Sequence, residues 1–185
     1  MARAVILAHG PGVSTALIAE QAGVSQATLF KRFGTKEALV VRALAAPECL
    51  AFAESLGAGP DARPLPAQLV AVGVQLLGFY GRVVPAIQAL FAAGVRLECA
   101  FGDGPPPPVV VRGALLRFFA AAQAAGRLRA CDPEPAVAAF MGALHGRVFM
   151  RHILSVPPPA DAAADARFVE GLVDTLWAGL APEGR

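Results

Sequence analysis

A short segment near the N-terminus gathers side chains whose chemistry suits nucleic acid: Ser25, Gln26, Thr28, Lys31, Arg32 and Lys36. A glutamine amide offers a donor and an acceptor to a base edge, hydroxyls do either, and lysine or arginine meets guanine or phosphate. The charge is placed to match. The chain carries +2 overall, yet residues 1 to 46 hold Arg3, Lys31, Arg32, Lys36 and Arg42 against Glu20 and Glu37, a balance of +3, and both lysines of the protein lie in FKRFGTK. Cations concentrated in this way give a short polyanion somewhere to dock. The same residues also fit ordinary solvated charges on a helix face.

The element that must position them is legible in STALIAEQAGVSQATLFKRF. Ser14 or Thr15 can cap a first short helix, Gly23 suits a left-handed exit from it, and Ser25 can accept the free N–H groups opening a second helix. Helix, glycine turn and helix in that order make a helix-turn-helix. Ile18 and Ala22 share one face, Leu29 and Phe33 another, Ala19 permits a close crossing, and Val24 is expected to plug the corner. Gln26, Ala27, Thr28, Phe30, Lys31 and Arg32 then face outward.

The run HGPGVSTALIAEQAGVSQATLFKRFGTKEAL resembles the N-terminal domain of the TetR (tetracycline repressor-like) family of bacterial transcription regulators. The resemblance rests on Ile18-Ala19, the AGVS of Ala22 to Ser25, the TLF of Thr28 to Phe30, Phe33, and the TKEAL of Thr35 to Leu39. It implies that Ser25, Gln26, Thr28, Lys31 and Arg32 face DNA, and that Phe30 stands where a phosphate-touching tyrosine is frequent, without its hydroxyl. It further implies that Lys36 meets the DNA backbone at the start of the fourth helix, with Thr15 as another phosphate contact. The closing FVEGLVDTLWAGLAPEG is similar to the last dimerisation helix of many members. One departure is the first helix, for which only MARAVILAH precedes Gly10, with His9 read as a residue near a helix C-terminus.

Beyond residue 46 the sequence is apolar and helix-favouring, with 56% hydrophobic residues and mean hydropathy +0.55 over the whole chain. Its longest uncharged stretch, Pro64 to Gly81, places Leu65, Leu69, Val72, Leu76 and Phe79 on one face, a core-helix pattern and not a lipid-facing one. No signal peptide is recognised, and the odd, scattered Cys49, Cys99 and Cys131 suggest free thiols in a reducing, cytoplasmic setting. Asp132-Pro133-Glu134 is a strong helix start and Asp161 a weaker one. Val109-Val110-Val111 leads into a helical pattern instead of a strand. Counting segments gives roughly nine helices.

The expectation is an all-α chain: residues 1–46 a three-helix helix-turn-helix domain with a short first helix, residues 47–185 a helical ligand-binding and dimerisation domain. After Asp132, Val137, Phe140, Leu144 and Val148 form one apolar stripe and Met141, His145, Phe149 and His152 a second. In the last helix Val169, Leu172, Leu176 and Leu180 are joined by Phe168, Val173 and Trp177. Wide apolar circumferences imply contact with a partner as well as with the core, and the family resemblance implies that these two helices form a four-helix interface in a homodimer. A small-molecule effector is expected among Gln75, Phe79, Tyr80, Phe91, Phe118, Phe119, His145 and Phe149, each of which also fits plain core packing. His145 and His152 lie two helical turns apart, too far for an unassisted metal pair, so no metal or cofactor is expected. The chain shows no phosphate-cradling glycine loop and no G-x-S-x-G, so an enzyme is not expected. The functional expectation is a ligand-responsive repressor, homodimeric on a near-palindromic double-stranded operator. The alternative is a helical dimer that binds a small molecule or another regulator without touching DNA.

Overall fold

A computed structural model describes residues 2–10, 12–92, 105, 107–153, 156 and 162–182. Among them the chain forms eight helices and no strand: α1 (Ala2–His9), α2 (Thr15–Ala22), α3 (Gln26–Phe33), α4 (Lys36–Gly57), α5 (Leu65–Ala92), α6 (Pro107–Ala124), α7 (Pro133–Ile153) and α8 (Ala162–Leu180). The expected helix start at Asp161 and the free thiol expected at Cys99 lie outside the described residues. Two compact units result, one of Met1–Leu50 with Arg82–Pro107, the other of Ala51–Gly81 with Pro108–Arg185.

In the first unit α1 packs on α2 and α2 on α3. Ile6, Val13, Ile18, Ala19 and Leu29 are buried, and so are Ala38, Leu39, Val40 and Val41 from the start of α4. Such small helices are marginal alone, so this shared apolar burial holds them. Ser14 caps α2 by accepting from Leu17 N at 3.1 Å, and Thr35 does the same for Ala38 N at the start of α4.

In the second unit the expected α5 face is present: Leu65, Leu69, Val72, Leu76 and Phe79 are all buried. Leu65–Pro85 is the one stretch among the described residues long and apolar enough to cross a membrane. Its outward side carries Gln75 and Arg82, opposite the buried apolar face. Gly73 sits where α5 meets α7 and α8; a Cβ there would lie 2.5 Å from Val169 Cγ1 and 3.1 Å from Phe140 Cζ. The α4–α5 loop is held by a buried amide: Gln68 accepts from Asp61 N and donates to the Asp61 and Arg63 carbonyls. Arg127 donates to the same two carbonyls from beyond α6.

The Asp132-Pro133-Glu134 start is as expected, with Asp132 Oδ1 accepting from Glu134 N at 3.0 Å and Pro133 as the first residue of α7. Val137, Phe140, Leu144 and Val148 form the buried face of α7. In α8 the apolar residues divide between a buried and a half-exposed side. Val169, Val173 and Leu180 are buried, whereas Leu172 and Leu176 are half-exposed beside Phe168 and Trp177. Because α8 is apolar around much of its circumference, sequence spacing alone leaves its rotation undetermined, and packing against Gly73 and α7 fixes it.

Between α7 and α8 one carboxylate serves two guanidinium groups. Asp165 Oδ1 accepts from Arg147 Nε at 2.9 Å and from Arg151 at 2.5 Å, and its other oxygen accepts from Arg151 at 3.2 Å. The Arg147 guanidinium also lies 4.4 Å from the centre of the Phe168 ring. Partial burial alone would raise the Asp165 pKa, but the hydrogen bonds and charges of Arg151 and Arg147 outweigh it and hold the carboxyl below its ordinary value.

Candidate nucleic-acid interface

The turn between α2 and α3 follows from two residues. Gly23 takes φ 67° and ψ 30°, a left-handed conformation that glycine adopts without steric cost, and its N–H reaches back to Glu20 O. Ser25 then opens α3 with extended backbone, its Oγ accepting from Thr28 N at 3.1 Å and paired with Thr28 Oγ1 at 2.9 Å. Val24 does not plug the corner as expected. It is 40% exposed. Its N–H closes onto Ala19 O, which turns the side chain outward and leaves Ile18, Ala19 and Leu29 to fill the crossing.

Every residue expected on the outer face of α3 is exposed: Gln26, Ala27, Thr28, Phe30, Lys31 and Arg32, with Ser25 beside them. Leu29 alone points fully inward, and Phe33 is half-buried. Phe30 is 43% exposed, a large apolar ring with no hydroxyl on an otherwise polar and cationic face. Arg32 and Arg42 each place a guanidinium 5.6 Å from the Phe33 ring centre, so this ring seats two cations at the end of α3.

Two long-range bonds had no local signal in the sequence. Thr15 Oγ1 donates to Gln26 Oε1 at 3.0 Å, joining the first residue of α2 to the first of α3. Lys36 Nζ donates to Gly12 O at 3.1 Å, tying the start of α4 to the turn before α2. The ammonium keeps further donors beyond that bond, since lysine has three. Gly34, at φ 77°, makes the break between α3 and α4 and returns its N–H to Phe30 O. The α4 N-terminus, with Lys36 at its first position, is thereby set close in sequence to the outer face of α3.

The residues expected to line an effector site are distributed unevenly. Phe79, Tyr80, His145 and Phe149 form a chain of rings, with Tyr80 edge-on to His145 at 5.7 Å and His145 stacked on Phe149 at 6.4 Å. Phe118 and Phe119 pair edge-on and are buried. Gln75 is exposed, and Phe91 is 58% exposed and belongs to the first unit.

A capped helix pair turning on a left-handed glycine, with an exposed amide, hydroxyl and cation face on its second helix, is a helix-turn-helix, the unit that regulators of transcription commonly carry. Comparison with known proteins agrees at both ends of the chain. Residues 1–43 match bacterial regulatory proteins of the tetR family, and residues 107–179 match the C-terminal domain of AefR-like transcriptional repressors. A TetR-family regulator from Mesorhizobium loti superposes with a TM-score of 0.76 at 19% identity, covering 97% of this chain and 93% of that one; at this identity the likeness is one of fold. A TetR regulator from Streptomyces coelicolor gives 0.56 at 25% identity, covering 98% and 99%. The flavonoid-responsive regulator FrrA gives 0.55 at 25% identity, covering 99% and 94%. No curated protein matches the sequence. The chain belongs to the TetR family of bacterial transcription regulators.

Proposed function

We propose that this protein is a ligand-responsive repressor that binds a near-palindromic DNA operator as a homodimer. The observation that carries the reading is the outer face of α3, where Gln26, Thr28, Lys31 and Arg32 are all exposed around a buried Leu29. A helix inserted in the major groove needs such a face, with cations for phosphate and an amide for base edges. In this reading Ser25, Gln26, Thr28, Phe30, Lys31, Arg32 and Lys36 form the DNA surface, and Thr15 stands behind it, bonded to Gln26. Residues 1–46 act as the reading head and 47–185 as the effector and dimerisation part.

Dimerisation is supported by α7 and α8. His145, Phe149 and His152 are exposed, and Met141, Phe168, Leu172, Leu176 and Trp177 are half-buried in the single chain. Covering such a surface with a second copy removes apolar area from water, and a two-fold pair presents two reading heads about 34 to 36 Å apart on DNA. For the effector, the ring chain of Phe79, Tyr80, His145 and Phe149 favours an aromatic or planar molecule. The flavonoid response of the FrrA relative supports testing that class first. Gln75, Phe118 and Phe119 of the same unit complete the proposed lining, and Phe91, which belongs to the first unit, is left out of it. An effector that binds better to the form with mismatched reading heads lowers DNA affinity by linkage.

A gel-shift titration on the chain's own upstream region tests the reading. The wild type should retard it, and Lys36→Ala should weaken binding to all duplexes and lower the salt slope by about one. Gln26→Ala should instead cost about 1–3 kcal/mol at one base position. Absence of retardation by the wild type would remove the proposal and leave the helical dimer without DNA.

A further inference from the structure

We propose that Thr15 is a positioning residue for Gln26, and that together they make Gln26 a reader of acceptor edges, guanine above all. The proposal rests on the DNA-binding reading above and adds which group of Gln26 meets the base. Thr15 Oγ1 donates to Gln26 Oε1 at 3.0 Å, across eleven residues of sequence and from one helix start to the other. A threonine hydroxyl has one proton. Given to Gln26, it is not given to a phosphate.

The consequence lies in the amide. Adenine is read by a paired contact in which Gln Oε1 accepts from N6–H while Nε2 donates to N7. With Oε1 drawn toward α2 by Thr15, the end left to approach DNA is Nε2, which only donates. Guanine presents two adjacent acceptors, O6 and N7, and the two N–H bonds of Nε2 suit that edge. The flanking hydroxyls do not compete for Oε1. Ser25 and Thr28 are bonded to each other at 2.9 Å, with Ser25 Oγ also accepting from Thr28 N. Thr15 is half-buried at the first position of α2, so replacing it by valine keeps its β-branched shape and removes only the hydroxyl.

The test begins with selection from random duplexes by the full chain. The position read by Gln26 is the one at which Gln26→Ala loses preference. Competition by fluorescence anisotropy then compares duplexes with guanine or adenine at that position. The wild type should prefer guanine, Thr15→Val should narrow the ratio about 2–10-fold, the worth of one modest hydrogen bond, and Thr15→Ser should restore it. Affinity of Thr15→Val for unrelated DNA and its salt slope should be unchanged. An unchanged ratio in Thr15→Val overturns the proposal, as does a wild-type preference for adenine. Equal weakening on every duplex also overturns it, because that is the signature of a phosphate contact. A wild type that binds no duplex gives a flat titration throughout, and the DNA-binding reading falls with the proposal.

Discussion

Replacing Gly73 by alanine puts a methyl group where α5 runs against α7 and α8. An ideal Cβ there lies 2.5 Å from Val169 Cγ1 and 3.1 Å from Phe140 Cζ, whereas carbon atoms pack best at about 3.5–4.0 Å. Val169 would have to give by about 1 Å on the first of these contacts. It is buried within α8 and β-branched, so it holds essentially one rotamer and cannot swing aside. Overpacking of this kind costs about 1–3 kcal/mol. Alanine returns about 0.5–1 kcal/mol through its better helix propensity. The net effect is a loss of up to about 2.5 kcal/mol, or a fall in Tm of up to about 10 °C for a chain of this size. Gly81 lies on the same helix with nothing within 4 Å of its ideal Cβ, so Gly81→Ala carries only the propensity gain and should raise Tm slightly. Adding Val169→Ala to Gly73→Ala should recover part of the loss, visible as coupling in a double-mutant cycle. The assay is thermal unfolding followed by circular dichroism at one protein concentration. Should Gly73→Ala melt at or above the parent, as Gly81→Ala does, the close crossing at Gly73 is wrong.

Other predictions follow from the same structure. Ser25→Ala removes the cap of α3 and should cost about 1 kcal/mol, read by denaturant unfolding, with a larger loss in DNA affinity than in stability. Asp165→Asn should cost more than the roughly 1 kcal/mol of an exposed pair and less than the 3–5 of a buried one, because Arg147 and Arg151 both lose their partner. Since the folded pKa of Asp165 lies below its unfolded value, the stability it adds is fully present above about pH 4 and lost as pH falls through the folded pKa. The wild type should therefore lose stability below about pH 4 more steeply than Asp165→Asn, in unfolding curves taken across that range. Phe149→Glu places a charge on an exposed part of α7 and should shift sedimentation from dimer to monomer with the helical signal intact.

What the sequence discloses here is whatever depends on neighbours along the chain. Gly23 and Ser25 act on backbone groups a few residues away, so the turn between α2 and α3 was readable, as was the Asp132-Pro133-Glu134 start of α7. The buried face of α5 was readable because polar and apolar sides differ there. The face of α8 was not, since both its sides are apolar and only the fit of Val169 against Gly73 chooses between them. Val24 was misplaced because an apolar residue at a corner can turn either way, and the backbone bond from its N–H to Ala19 O decides. The bonds from Thr15 to Gln26 and from Lys36 to Gly12 join residues 11 and 24 apart, which no periodic pattern encodes. Gln68 is the buried amide that shapes the loop from Asp61 to Arg63, a role that its bonds to residues five and seven away give it and no apolar pattern marks.

The central claim is that two copies of the outer face of α3 grip one operator, and a comparison of whole and half sites tests it most directly. Fluorescence anisotropy would be measured on the selected near-palindromic duplex, on either half alone, and on the whole site with five base pairs inserted at its centre. The account predicts tight binding only to the intact site, by a dimer. Half sites and the insertion, which turns one half about half a helical turn away from the other, should fall toward non-specific affinity, roughly 10³-fold weaker or more. Equal affinity for all of these duplexes, or binding that persists with Gln26, Lys31, Arg32 and Lys36 all replaced by alanine, would contradict it.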